Sequence, residues 1–208
     1  VCKLLKLSTN KWMSCCRAEI LNAITDIKET FCESDKVEHA LRDELIHHLS
    51  IPEAAWALSE EELEPYKKLL SDIEPKNVVM KHRWMFENMF LRLPQKRETD
   101  FEKDYQMKQE IRDKAVKEIL SGRGRKGIWE LIRVVKCPSS VVNSMIQLYG
   151  EGLLQDTCER FGKNIVDITF LQTFFRYLFL QKGEDDYMRI VDDVRPYGNT
   201  CLSVCLYA

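Results

Sequence analysis

Histidine, cysteine and one glycine-rich basic loop supply the residue types with which this chain could do chemistry. His47 and His48 each stand four residues after an acid, Asp43 and Glu44, and His39 and His82 complete the set. A metal-binding helix face needs two or three ligands converging on one side. Adjacent helical positions diverge by about 100°, so Asp43–His47 and Glu44–His48 make two separate pairs, and neither fits the HExxH pattern of zinc proteases. Helix-face pairing is their expected role. Cys201 and Cys205 share an i, i+4 spacing but lack a CxxC or a paired histidine, and Cys15 and Cys16 are neighbours that point apart on a helix. The loop SGRGRKG, 121–127, has Gly122 and Gly127 at the spacing of a phosphate-binding loop, but Ile128 and Trp129 stand where Lys and Ser or Thr should follow, and a helix precedes it instead of a strand. Arg-Gly-Arg could also lie in a minor groove of A·T-rich DNA. A glycine helix cap with exposed bases near the carbonyl end explains the same composition. The acidic runs EEELE (60–64) and GEDDY (183–187) read as charged first turns of helices. No catalytic, cofactor-binding or metal-ligating residue is expected from these spacings.

The elements that would position such groups are helical. Gly (8) and Pro (6) are scarce in 208 residues, while 45% of the chain is hydrophobic and 31% charged, a balance that suits a folded chain rich in long helices. Ile20, Ile24, Ile27 and Phe31 fall on one helical face behind Ser14 as cap, and Val37, Leu41, Leu45 and Leu49 repeat the pattern behind Ser34 or Asp35. Ser59 and Glu62 fit a capping box, with Pro65 suggesting a restart near Glu64. The segment KHRWMFENMFLRLP, 81–94, extends a helix expected from about Asn77 to Leu93 that Pro94 ends. Its large apolar residues occupy more than one stripe, so it should touch neighbours on two sides. The helix around 166–180, with Phe170, Phe174, Phe175 and Phe179, should do the same. Ile111, Ala115 and Ile119 line a charged helix over 101–120 that the glycines at 122, 124 and 127 stop, and Ile128, Leu131, Ile132 and Val135 begin the next. Pro138 starts another helix, Gly150 and Gly152 break it, a short helix follows from Leu153 to Phe161 and ends at Gly162, Asp167 is the expected cap of the helix Ile168–Leu180, and Gly183 closes that one. No segment alternates cleanly enough for a strand. The expected fold is all-α, about ten helices stacked as antiparallel pairs in an α-solenoid or compact helical array, forming a single helical-repeat domain over 1–208 with a possible sub-boundary at 95–100.

Eight cysteines are present, mostly in helical, apolar settings where thiols act as small hydrophobes. The chain is large enough to fold without disulfide staples, so reduced thiols and a cytoplasmic setting are expected. The greasiest run, Val166 to Leu180, is interrupted by Asp167, Thr169, Gln172, Thr173 and Arg176 and falls short of a membrane span. Val1 in place of Met and the apolar end CLSVCLYA suggest a fragment of a larger protein.

Net charge is only −2, but its distribution is uneven. Residues 19–64 hold thirteen acids against three bases. Residues 76–97 hold six bases against Glu87, and 121–136 hold five against Glu130; each basic segment carries a tryptophan, Trp84 or Trp129. Packed side by side, Lys81, Arg83, Arg123, Arg125, Lys126 and Arg133 could track phosphates.

KHRWMF (81–86), LRLP (91–94), KAVKEIL (114–120) and GIWELIRVVKCPSSVV (127–142) together resemble the C-terminal helical regions of large bacterial nucleotide-hydrolysing proteins, including antiviral-defence NTPases of the STAND type. The resemblance spans about 81–208, with His82, Trp84 and Phe86 as the residues that align, whereas 1–80 shares only helical character. It implies an all-α repeat array that senses or holds a partner, with the NTPase core elsewhere in the larger protein. The expected function is therefore a non-enzymatic interaction or sensor module that binds a protein partner, with nucleic-acid binding through the two basic segments as the alternative and no role at a membrane.

Overall fold

The computed structural model describes residues 1–30, 34–162 and 168–208. Among them the secondary structure is α-helix with short 3-10 turns and no strand, so the all-α expectation holds. No described helix is long and apolar enough to cross a membrane. The chain divides into two compact units: unit 1 comprises residues 1–77 and 90–105, and unit 2 comprises 78–89 and 106–208.

Unit 1 contains α1 (Cys2–Ser8), α2 (Arg17–Asp26), α3 (Ser34–Ser50) and α4 (Glu60–Ile73). The stripe Val37, Leu41, Leu45 lies buried with Leu5 of α1, Leu21 and Ile24 of α2, and Leu63, Tyr66 and Leu69 of α4. α3 packs against both α1 and α4. The capping box forms as expected: Ser59 Oγ accepts from Glu62 N at 3.3 Å, and Glu62 Oε2 accepts from Ser59 N at 2.9 Å. Pro65 does not restart the helix. α4 runs through it from Glu60, because the buried Leu63, Tyr66 and Leu69 hold one continuous face that outweighs one missing backbone donor. Ser14 is no cap either. It lies inside a 3-10 turn, Lys11–Cys16, capped by Asn10, and α2 begins only at Arg17. Because α2 stops at Asp26, Ile27 stays exposed. Phe31 and the residues before α3 fall outside the described residues, as does Asp167.

Unit 2 begins with α5 (Val78–His82) and a 3-10 turn, Arg83–Phe86. The helix expected to reach Leu93 stops there. Arg112, only 7% exposed, explains why. Its Nε donates to the Met85 carbonyl at 3.0 Å, and its Nη2 donates to those of Asn88 at 2.7 Å and Met89 at 3.1 Å. Cys137 N donates to the Phe86 carbonyl at 3.1 Å. Carbonyls that would accept from residues four places on are thus taken by other donors. The apolar residues of 81–94 accordingly divide. Phe86 joins the core of unit 2, Leu91 and Leu93 are buried and belong to unit 1, and Met89 and Phe90 are exposed.

α6 spans Phe101–Val134, and unit 2 takes it from Gln106 onward. Gly122 does not end it. The break comes at Gly124, at φ 60°, ψ −161°, and the helix resumes to Val134. A Cβ on Gly127 would stand 2.8 Å from Arg123 Cβ and 2.9 Å from Ile119 Cγ2, so the chain bends back on itself too tightly for any side chain there.

α7 (Pro138–Tyr149), α8 (Leu154–Gly162), α9 (Ile168–Lys182), α10 (Glu184–Val194) and α11 (Asn199–Leu206) complete unit 2. Pro138 sits in the first turn of α7, and Gly150 and Gly183 take positive φ at the breaks expected of them. α9 packs against α7, α8, α10 and α11. Phe170, Phe174 and Phe175 are buried by these neighbours, as a helix apolar on several sides requires. Phe179, near the end of α9, is partly exposed and meets Tyr187 edge-on at 5.3 Å.

Candidate functional site

The concave feature with the most distinctive lining lies in unit 1, a cleft of about 980 Å³. One wall is α3, which contributes Asp43, Glu44, His47 and His48. A second follows the end of α1 and supplies Thr9, Asn10, Lys11 and Trp12; Ala55, Trp56 and Arg92 complete the rim. Of the i, i+4 pairs expected on α3, Glu44 acts on His48 only through its charge, without a hydrogen bond among the described contacts. Asp43 instead faces His39, one turn earlier, at 3.7 Å. Glu44 Oε2 accepts from the Thr9 hydroxyl at 2.6 Å, which ties α3 to the end of α1.

The two histidines diverge as adjacent helical positions must. His48 turns inward and is 4% exposed; its Nδ1 accepts from Leu58 N at 3.2 Å. Burial pushes its pKa down, and the neighbouring His47 adds to the effect. The ring is therefore neutral, with its proton on Nε2. His47 turns outward and stacks on Trp56, with ring centroids 4.0 Å apart and planes 13° from parallel. Trp56 also meets the edge of His48 at 5.8 Å. Trp12 is placed by the residues before it: Asn10 Oδ1 accepts from Trp12 N at 3.0 Å, and the Lys11 side chain donates through Nζ to the Ala55 carbonyl at 2.8 Å. The indole itself is 91% exposed.

The cleft thus presents a stacked aromatic plate, a projecting indole, two carboxylates and three cationic side chains, Lys6, Lys11 and Arg92. Among the described residues no cluster of His, Cys, Asp and Glu could hold a metal ion.

The sequence-predicted basic residues fall elsewhere. Lys81, Arg83, Arg123, Arg125, Lys126 and Arg133 all belong to unit 2. The segments touch at single points: Val78 lies beside Gly122, and Lys136 reaches Glu87. Acids stand among the bases, however. Arg83 pairs with Glu87 at 3.1 Å, Lys136 reaches the same carboxylate at 3.7 Å, and Arg123 pairs with Glu130 at 3.0 Å. Arg125, Lys126 and Arg133 are exposed, and Lys81 is half-buried. Trp129 is turned into the core, where its Nε1 donates to Asp156 at 2.9 Å.

Sequence reasoning missed Trp12 and Trp56. The available signal was Trp12 itself, a tryptophan in the polar run STNKW with only the small Cys15 and Cys16 at helical spacing.

Comparison with family models, with curated proteins and with solved structures finds no match to this chain.

Proposed function

We propose that the chain is a non-enzymatic helical interaction module that holds an exposed segment of a protein partner in the unit 1 cleft. The observation that carries this reading is Trp12. A tryptophan almost wholly in water costs solvation free energy in the free protein, and the residues just before it nevertheless fix its place: Asn10 Oδ1 accepts from its backbone N–H and Lys11 Nζ donates to the Ala55 carbonyl. Tryptophan placed beside a concave, aromatic-lined surface is the composition of an interface hot spot. Charges of both signs around the plate suit a polypeptide segment, which offers apolar side chains together with ionic ones. The free thiols of the described cysteines fit a cytoplasmic setting. The resemblance to the helical regions of STAND-type NTPases fits a module serving a larger protein. The packing of α7, α9 and α11 in succession, with α8 and α10 beside them, supports a short stack of helix pairs.

A displayed random-peptide library selected on the whole chain tests the proposal. Peptides bound by the cleft should lose about tenfold or more in affinity with Trp12→Ala or His47→Ala, and keep it when Arg125 and Lys126 are replaced by Ser. Failure to select any peptide, or indifference of the selected ones to Trp12→Ala, would remove the cleft from consideration. Duplex DNA binding with a steep salt dependence would favour the alternative through Arg125, Lys126 and Arg133. That reading is the weaker one, because Glu87, Glu118 and Glu130 offset the surrounding bases.

A further inference from the structure

Three thiols meet in unit 2. Cys158 lies on α8, and Cys201 and Cys205 lie one turn apart on α11; all three are buried. Cys205 is already engaged. Its Sγ meets the Tyr187 hydroxyl at 3.3 Å, and that hydroxyl donates to the Cys205 carbonyl at 2.9 Å. Cys158 and Cys201 face each other, with sulfur atoms 3.3 Å apart across 43 residues of chain. No described cluster is arranged to bind a metal, so shared ligation does not explain the approach. A disulfide bond is about 2.05 Å long, so closing this pair takes a movement of little more than about 1 Å, within reach of χ1 rotation on two packed helices.

We propose that Cys158 and Cys201 are an oxidisable pair that closes to an intramolecular disulfide when the protein meets a peroxide. One of the two facing sulfurs, as thiolate, attacks one peroxide oxygen, the O–O bond breaks, and the departing hydroxide takes up a proton to leave as water. That cysteine becomes a sulfenic acid. The sulfur of its partner, 3.3 Å away before reaction, then attacks the sulfenic sulfur, forming the S–S bond and breaking the S–O bond. The partner's proton leaves with that oxygen as a second water. Two thiols are oxidised by two electrons in all, and one peroxide is reduced to two waters. Burial of both sulfurs selects a small, uncharged oxidant such as hydrogen peroxide over bulkier disulfides. The product ties α11 to α8.

The test is oxidation of the whole folded chain by hydrogen peroxide, followed by catalase, denaturation, alkylation with N-ethylmaleimide, digestion and mass spectrometry. The Cys158 and Cys201 peptides should appear as one linked species, lighter than their sum by two hydrogens and separated again by dithiothreitol. A Cys205→Ser chain should give the same link, and Cys158→Ser and Cys201→Ser chains should not. Full alkylation of both thiols after peroxide would overturn the proposal, as would accumulation of sulfinic acid at either cysteine or pairing of Cys158 or Cys201 with a different cysteine. The mapping on the unsubstituted chain decides the question even where a variant fails to fold.

Discussion

At the scale of single residues, two buried polar side chains do more for this fold than their positions in the sequence suggest. His48 accepts a backbone hydrogen bond only while neutral, and its environment lowers its pKa. A histidine whose folded pKa lies below its unfolded value, about 6.5, contributes stability that is fully present above that value. The contribution is lost as pH falls below it, where the unfolded chain takes up the proton first. Urea titrations from pH 8 to about pH 5 should show stability falling on the acid side, and His48→Asn, which keeps an acceptor at the same reach, should flatten that part of the decline. Arg112 satisfies three carbonyls that no helix satisfies. Arg112→Met should cost about 2 kcal/mol in denaturant unfolding, since it removes charge-assisted hydrogen bonds to three carbonyls. Neither role was legible beforehand. Arg112 lies in a charged stretch, QEIRDK, and only the fold turns it inward; His48 differs from His47 only by the 100° that separates neighbouring helix positions.

At the scale of elements, periodicity carried far but failed where side chains from distant segments compete for the backbone. The α3 stripe, the Ser59–Glu62 box, the Pro138 start and the Gly183 stop are local devices, and each was readable as such. The 77–93 helix was misread because its apolar density fits helical spacing, while its carbonyls are claimed by Arg112 and Cys137 from elsewhere. The break in α6 was placed among three glycines, and their separate roles emerge only in space. Gly124 supplies the positive φ, and Gly127 supplies room. Gly127→Ala should therefore destabilise by about 2 kcal/mol, through overpacking against Ile119 and Arg123. Gly122→Ala, whose Cβ would meet Val78 at an ordinary 3.6 Å, should be neutral or slightly stabilising. Thermal melts of the two variants side by side would show the contrast. Ser59→Ala should cost about 1 kcal/mol for loss of the cap.

At the scale of the whole molecule, the charge asymmetry along the sequence drew attention to unit 2, whereas the arrangement best suited to recognition lies in unit 1. The acidic stretch 19–64 contains the α3 wall of the cleft, yet its aromatic plate is assembled from residues nine apart on a helix and a loop, His47 and Trp56, with Trp12 projecting from another segment altogether. No spacing rule joins those three. The four tryptophans offer a direct readout, because each carries one indole N–H with its own NMR signal: Trp12 and Trp56 belong to the cleft, and Trp84 and Trp129 belong to the basic segments. Titrating a selected peptide into the labelled chain should move the Trp12 and Trp56 indole signals and leave those of Trp84 and Trp129 in place. Movement confined to Trp84 or Trp129, or no movement at Trp12 at saturating peptide, would contradict recognition through the unit 1 cleft.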